Sequence, residues 1–82
     1  MPKRFQQKHH ISPILDLHGF KHIEVELVVE DFIFKNQAML PLKIITGNSD
    51  KMKLIVKNVL NKHDFTYSEG DYYNRGYIDV LN

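Results

Sequence analysis

Twice along the chain a short apolar run stops at a glycine and gives way to a helical period, and no other feature restricts the fold as much. Ile14-Leu15-Asp16-Leu17 runs into Gly19, and Leu42-Lys43-Ile44-Ile45-Thr46 runs into Gly47. Runs of this length, rich in aliphatic side chains and closed by a glycine, fit buried strands that end at turns. After the first, Val25, Val28, Val29, Phe32 and Ile33 share one side of a helix over His22 to Asn36, with Glu24, Asp31 and Lys35 opposite. After the second, Ser49 or Asp50 can cap a helix whose core face is Met52, Ile55, Val56, Val59 and Leu60. Strands joined by a helix are parallel and connected by a right-handed crossover. Phe65 to Glu69 and Tyr77 to Leu81 then alternate as a hairpin around Gly70 to Gly76, which completes an α/β chain of order βαβαββ. Ile23, Leu27 and Phe34 leave a second apolar stripe on the first helix, suited to meeting an N-terminal arm, a loop or a partner.

At 82 residues there is material for one core, because a domain of this size buries only about 60% of its unfolded surface. Residues 1–12 read as a flexible basic arm with Lys3, Arg4 and Lys8, and residues 13–82 as the domain. With no cysteine there is no disulfide and no thiolate to attack a substrate or bind zinc. The basic N-terminus lacks the apolar stretch of a signal peptide, and no run approaches the ~20 residues of a membrane span, so a cytoplasmic protein with no membrane partner is expected. Net charge is +1, but its sign alternates by segment. The arm and the stretch holding Lys43, Lys51, Lys53, Lys57 and Lys62 are basic, whereas the first helix and the last hairpin are acidic.

Ligands of an open α/β sheet collect beyond the carboxyl ends of its parallel strands. That edge holds Asp16, His18 and Gly19 after the first strand and Thr46, Gly47, Asn48 and Ser49 after the second. Each loop opens into a helix, whose N–H groups and dipole favour a phosphate. Asp16 is the odd residue of an apolar strand, and a carboxylate there has two readings: a general base or divalent-ion ligand, or a cap on neighbouring loop amides. Imidazole exchanges protons near neutral pH, so His18 can serve a leaving oxygen or pair with phosphate, or simply stand in solvent. His9, His10, His22 and His63 lack zinc spacing, and no serine has an evident His/Asp partner. Thr46 to Ser49 is not a Walker loop. Lys51, Lys53 and Lys57 either form the solvated side of the second helix or, with the arm, follow a phosphate backbone. Tyr72, Tyr73 and Tyr77 offer stacking surfaces near the hairpin, and Tyr77 equally suits the core.

Leu15-Asp16-Leu17-His18-Gly19 resembles the Leu-Asp-Leu-His-Gly signature of the Smr (small MutS-related) domain family. Downstream, Glu24-Val25, Phe32-Ile33 and Ile44-Ile45-Thr46-Gly47 are similar to that family's first helix and second motif, so the resemblance covers residues 14 to 81. Ser49 stands where the family carries a second glycine. The resemblance implies an α+β sandwich, a four-stranded mixed sheet packed by two helices, similar to the C-terminal domain of translation initiation factor 3. It implies an endonuclease that cleaves or nicks RNA or DNA, with Asp16 and His18 in the cleavage positions and Thr46 and Gly47 in a loop facing the nucleic acid. On this reading Asp16 activates water or holds Mg2+ or Mn2+, and His18 protonates the leaving oxygen. Gly19, Thr46, Gly47, Asn48 and Ser49 bind phosphate, and Lys51 and Lys53 position the strand or stabilise developing charge. The alternatives are a non-catalytic module that binds RNA, DNA or the ribosome, and an adaptor that uses the Ile23, Leu27 and Phe34 stripe.

Overall fold

The computed structural model describes residues 12–71 and 73–82, so the expected arm lies almost wholly outside the described residues. Along the chain run β1 (Ile14–Asp16), α1 (His22–Asn36), a 3-10 turn (Gln37–Met39), β2 (Leu42–Ile45), α2 (Asp50–Lys62), β3 (Tyr67–Glu69) and β4 (Tyr77–Val80). The βαβαββ order is present, with every strand shorter than its apolar run. Apolarity marks what packs rather than what pairs: Leu17 lies beyond β1 and is 1% exposed, and Phe65 packs on the core ahead of β3.

The sheet order is β1-β2-β4-β3, with β1 parallel to β2 and β4 antiparallel to both of its neighbours. The steps from β1 to β2 and from β2 to β3 cross the sheet in the same sense. Right-handed crossovers therefore put α1 and α2 on one face, where they pack on each other, and the fold is a two-layer α/β sandwich. Strand alternation sends Leu42, Ile44, Ile78 and Val80 into that layer, all fully buried, and leaves Lys43, Ile45, Tyr77 and Asp79 on the opposite face.

One expectation is corrected. Among the described residues β1 pairs only with β2 and is an edge strand, with Ile14 and Asp16 exposed and Leu15 half-buried. Its aliphatic density resembles that of an inner strand because Leu15 and Leu17 supply the core contacts while Ile14 points to water. The Asp16 carboxylate is consequently hydrated and does not suffer the burial penalty that an inner strand would impose.

α1 has the expected bounds, with Val25, Val29 and Ile33 fully buried and Val28 and Phe32 partly so. Its first turn is closed by the Glu24 carboxylate, which accepts the Lys21 N–H at 2.8 Å. The second apolar stripe is exposed at Ile23 and Leu27, while Phe34 meets the His63 ring edge-on at 4.8 Å. α2 is capped by Ser49, whose Oγ accepts the Met52 N–H at 3.1 Å, which decides between Ser49 and Asp50. Met52, Val56, Val59 and Leu60 are its buried face, and Ile55 is half-buried. Among the described residues no helix is long and apolar enough to cross a membrane.

Candidate active site

Beyond Asp16 the chain turns sharply: the Phe20 N–H donates to the Leu17 carbonyl at 3.1 Å, and Gly19 takes φ +88°. That is the left-handed φ expected at the third position of a type II turn, and it explains the glycine without any need for space, since nothing lies within 4 Å of where a methyl would project. The turn presents His18 to solvent. Asp16 Oδ1 accepts the His18 backbone N–H at 2.9 Å and meets His18 Nδ1 at 2.6 Å. Both readings of Asp16 from the sequence therefore meet in one atom, which caps the turn and also fixes the imidazole. With Nδ1 as the N–H donor to the carboxylate, Nε2 is left for chemistry. The His18 backbone N–H, ahead of its side chain, holds the Asp16 carboxyl below its ordinary value. The two side chains are 69% and 56% exposed, so the pair adds little stability and serves to orient the ring.

A methyl on Gly47 would stand 3.4 Å from Nε2, in van der Waals contact, so the second loop passes beside this nitrogen. Gly47 has φ +68°, and its N–H and that of Thr46 both donate to the Gly76 carbonyl at 2.9 Å. Thr46 is buried and its hydroxyl donates to the Gly47 carbonyl at 2.8 Å. The amides of Thr46 and Gly47, expected to meet phosphate, instead tie the end of β2 to the start of β4. The Ser49 hydroxyl is committed to capping. What faces outward here is exposed Asn48, the first turn of α2, exposed Lys51 and half-buried Lys53. Among the described residues neither Lys51 nor Lys53 enters an ion pair, whereas Lys57 reaches Glu69 at 3.3 Å and Lys62 reaches Glu30 at 3.2 Å. The structure thus brings Asp16, His18 and Gly47 together, sets Gly19 in the turn, and puts Asn48, Lys51 and Lys53 on the loop and first turn of α2 that follow Gly47.

A divalent ion at Asp16 would have little else to bind. Among the described residues no group of three His, Asp or Glu side chains is placed to hold one, and Oδ1 of Asp16 is already taken by His18. Among the described residues Asp16 would hold Mg2+ or Mn2+ as a lone carboxylate, with water and substrate phosphate completing the shell.

Gly76 is the functional-site residue that the sequence reading missed, because it was taken for part of a connection. Its hairpin loop is pinned at several points. Asp71 accepts the N–H groups of Tyr73 at 2.8 Å and Asn74 at 2.7 Å and the Tyr77 hydroxyl at 3.1 Å, and Asn74 Oδ1 accepts the Gly76 N–H at 2.8 Å. The Asn74 N–H, followed by that of Tyr73, lowers the Asp71 carboxyl below its usual range. Tyr77 is half-buried with Lys43 Nζ 3.5 Å above its ring, which makes it a support of the loop rather than a stacking surface. The Gly-Asp and Asn-x-Gly pairs were the available signal, since such residues build hydrogen-bonded turns. Comparisons with family models, curated proteins and solved structures give no match to this chain.

Proposed function

We propose that this edge is a phosphodiester-cleaving site acting on RNA, in which His18 Nε2 transfers the proton and Asp16 orients the ring. The observation that carries the reading is the 2.6 Å contact of Nδ1 with Asp16 Oδ1, with Nε2 held beside Gly47. A carboxylate that fixes tautomer and orientation is what general acid–base work by histidine needs, and such catalysis contributes about 10²–10⁴-fold. The resemblance of Leu15 to Gly19 to the Smr signature supports the same assignment. For a single oriented imidazole, the nucleophile that fits is one the substrate carries. As the 2′-hydroxyl of RNA attacks the adjacent phosphorus, His18 Nε2 takes its proton; the bond to the 5′-oxygen breaks, and that oxygen leaves with a proton returned by the imidazolium, directly or through water. The products are a 2′,3′-cyclic phosphate and a 5′-hydroxyl. Lys51 and Lys53 supply positive charge for the strand.

The test is cleavage of labelled RNA and of the DNA of the same sequence, in chelator and with Mg2+ or Mn2+. RNA cut in chelator to a cyclic phosphate is expected, with loss of at least about 100-fold in kcat for His18→Ala and a smaller loss for Asp16→Asn. Unchanged cleavage by His18→Ala removes the proposal. The cap that Asp16 places on the His18 N–H also suits a second reading, a module that binds RNA, DNA or the ribosome without cutting. Salt-dependent binding without scission under every condition selects it.

A further inference from the structure

With both helices on one side, the other face of the sheet is bare among the described residues, and strand alternation decides what stands on it. β2 contributes Lys43 and Ile45, and β4 contributes Tyr77 and Asp79. β1 adds Ile14, paired with Lys43, and Asp16, paired with Ile45, while β3 adds Ser68 opposite Asp79. Just outside the strands, Pro41 and Leu81 border a hollow of about 280 Å³ together with Lys43 and Asp79. This face is more apolar than water favours, with Ile14 56% and Leu81 45% exposed around half-buried Ile45 and Tyr77. At its centre Lys43 Nζ meets Asp79 at 3.2 Å.

The pattern is self-complementary. In the register of β2 and β4, Lys43 stands opposite Asp79 and Ile45 opposite Tyr77, and Pro41 and Leu81 continue the series one step beyond Leu42 and Val80. A two-fold axis along the strands, midway between β2 and β4, lays β2 of one copy over β4 of another at the same level. Lys43 then meets Asp79 of the second copy, Ile45 meets its Tyr77, and Leu81 meets its Pro41 beside the hollow. An axis across the strands at this level would instead set Lys43 on Lys43 and Asp79 on Asp79. Four strands about 4.8 Å apart and five residues of about 3.3 Å give a face of about 19 by 17 Å. Two such faces, with their side-chain relief, bury on the order of 1,000 Å², which suits a weak association.

We propose that this bare face is the interface of a weak homodimer, packed sheet against sheet, in which the Lys43 and Asp79 pairs of two copies form a ring of four alternating charges. An ammonium has three donors and a carboxylate two oxygens, so each keeps its own partner and takes a second across the axis. The apolar groups supply the attraction and the charges fix the axis. Asp16 marks a corner of the face and His18 follows it beyond the strand end, so the dimer stands independently of the cleavage reading.

Sedimentation equilibrium of the full chain tests this, with a dissociation constant of about 10–500 µM expected. Lys43→Asp and Asp79→Lys each bring like charges together across the axis and should weaken self-association at least about tenfold. An equimolar mixture of these two variants should associate again, because each then meets the opposite sign in the other, a recovery that a folding defect cannot produce. Leu81→Glu should also weaken the dimer, and Leu27→Glu, on the exposed side of α1, should leave it unchanged. Melting followed by circular dichroism checks that each variant is folded. If like charges within one chain unfold either charge variant, Leu81→Glu decides, and association equal to that of the native chain overturns the interface. A native chain that stays monomeric at about 1 mM, a mixture that associates no better than its components, or a dimer lost in Leu27→Glu and kept in Leu81→Glu overturns it as well.

Discussion

Gly47 is the residue on which the two loops depend. Its φ of +68° strains any side chain on backbone grounds, and a built methyl would come into van der Waals contact with His18 Nε2 at 3.4 Å. Gly19 offers a matched comparison, since its φ is also left-handed but nothing lies within 4 Å of its methyl position. Alanine at either position should destabilise the chain by about 1–2 kcal/mol in a denaturant titration, from the left-handed strain alone. Only at Gly47 does the new methyl also touch Nε2 and cover one side of it, so cleavage of RNA should fall further in Gly47→Ala than in Gly19→Ala. Equal activities in the two variants would show that the Gly47 side of Nε2 is not where the substrate meets it. Asp16 illustrates a limit of the sequence at this scale. Its two candidate roles could not be separated by spacing, because one oxygen performs both, accepting a backbone N–H two residues on and fixing the ring of the same residue.

α1 and α2 were legible in the sequence because an amphipathic helix writes its buried face at regular spacing, and both bounds followed from polar residues at the ends. The sheet edge was not legible. Nothing in Ile14-Leu15-Asp16-Leu17 tells an inner strand from an edge strand, since edge position is set by where β4 inserts, between β2 and β3, far along the chain. For the same reason the partner of the Thr46 and Gly47 amides, the Gly76 carbonyl, could not be found by looking near them. The C-terminus of α2 was read only as closing at His63-Asp64, and its geometry yields a stability prediction. The Phe65 N–H donates to the Leu60 carbonyl at 2.9 Å and the Asp64 N–H to that of Asn61 at 3.2 Å, a Schellman pattern in which Asp64 occupies the left-handed position at φ 61°. Glycine removes the left-handed strain at the expense of greater freedom in the unfolded chain. Asp64→Gly should therefore raise stability by about 0.5–1 kcal/mol in urea unfolding, and Ser49→Ala, at the other end of α2, should lower it by about 0.5–2 kcal/mol. A loss of stability in Asp64→Gly would mean that the aspartate side chain contributes more than the backbone strain.

At the scale of the whole molecule, the middle of α1 and the C-terminal end of α2 are joined by charge as well as by packing. Glu30 of α1 accepts from His63 at 2.8 Å and from Lys62 at 3.2 Å, and Lys62 also reaches Glu26 at 3.5 Å. The hydrogen bond from His63, followed by that from Lys62, holds the Glu30 carboxyl below its ordinary value, and the bond to Glu30 raises the Lys62 ammonium. Asp16 and Asp71 are lowered as well, each mainly by backbone N–H groups. The signs follow directly. A carboxyl whose pKa is lower in the folded chain stabilises it above the ordinary carboxylate value, and that contribution disappears as pH falls through the lowered folded value. A raised lysine stabilises fully below its ordinary pKa and loses its contribution as pH rises through the raised one. These groups therefore place the acid loss of stability below about pH 4 and the lysine's loss above about pH 10, with neither acting across the neutral range. Melting temperature followed from pH 2 to pH 7 tests the acid limb through Glu30. Glu30→Gln should melt below the native chain at pH 7, and the gap should narrow as pH falls below 4, where the native carboxyl takes up its proton and loses its advantage over an amide. A gap that stays constant down to pH 2 would show that Glu30 joins α1 to α2 through shape and neutral hydrogen bonding, with its charge irrelevant.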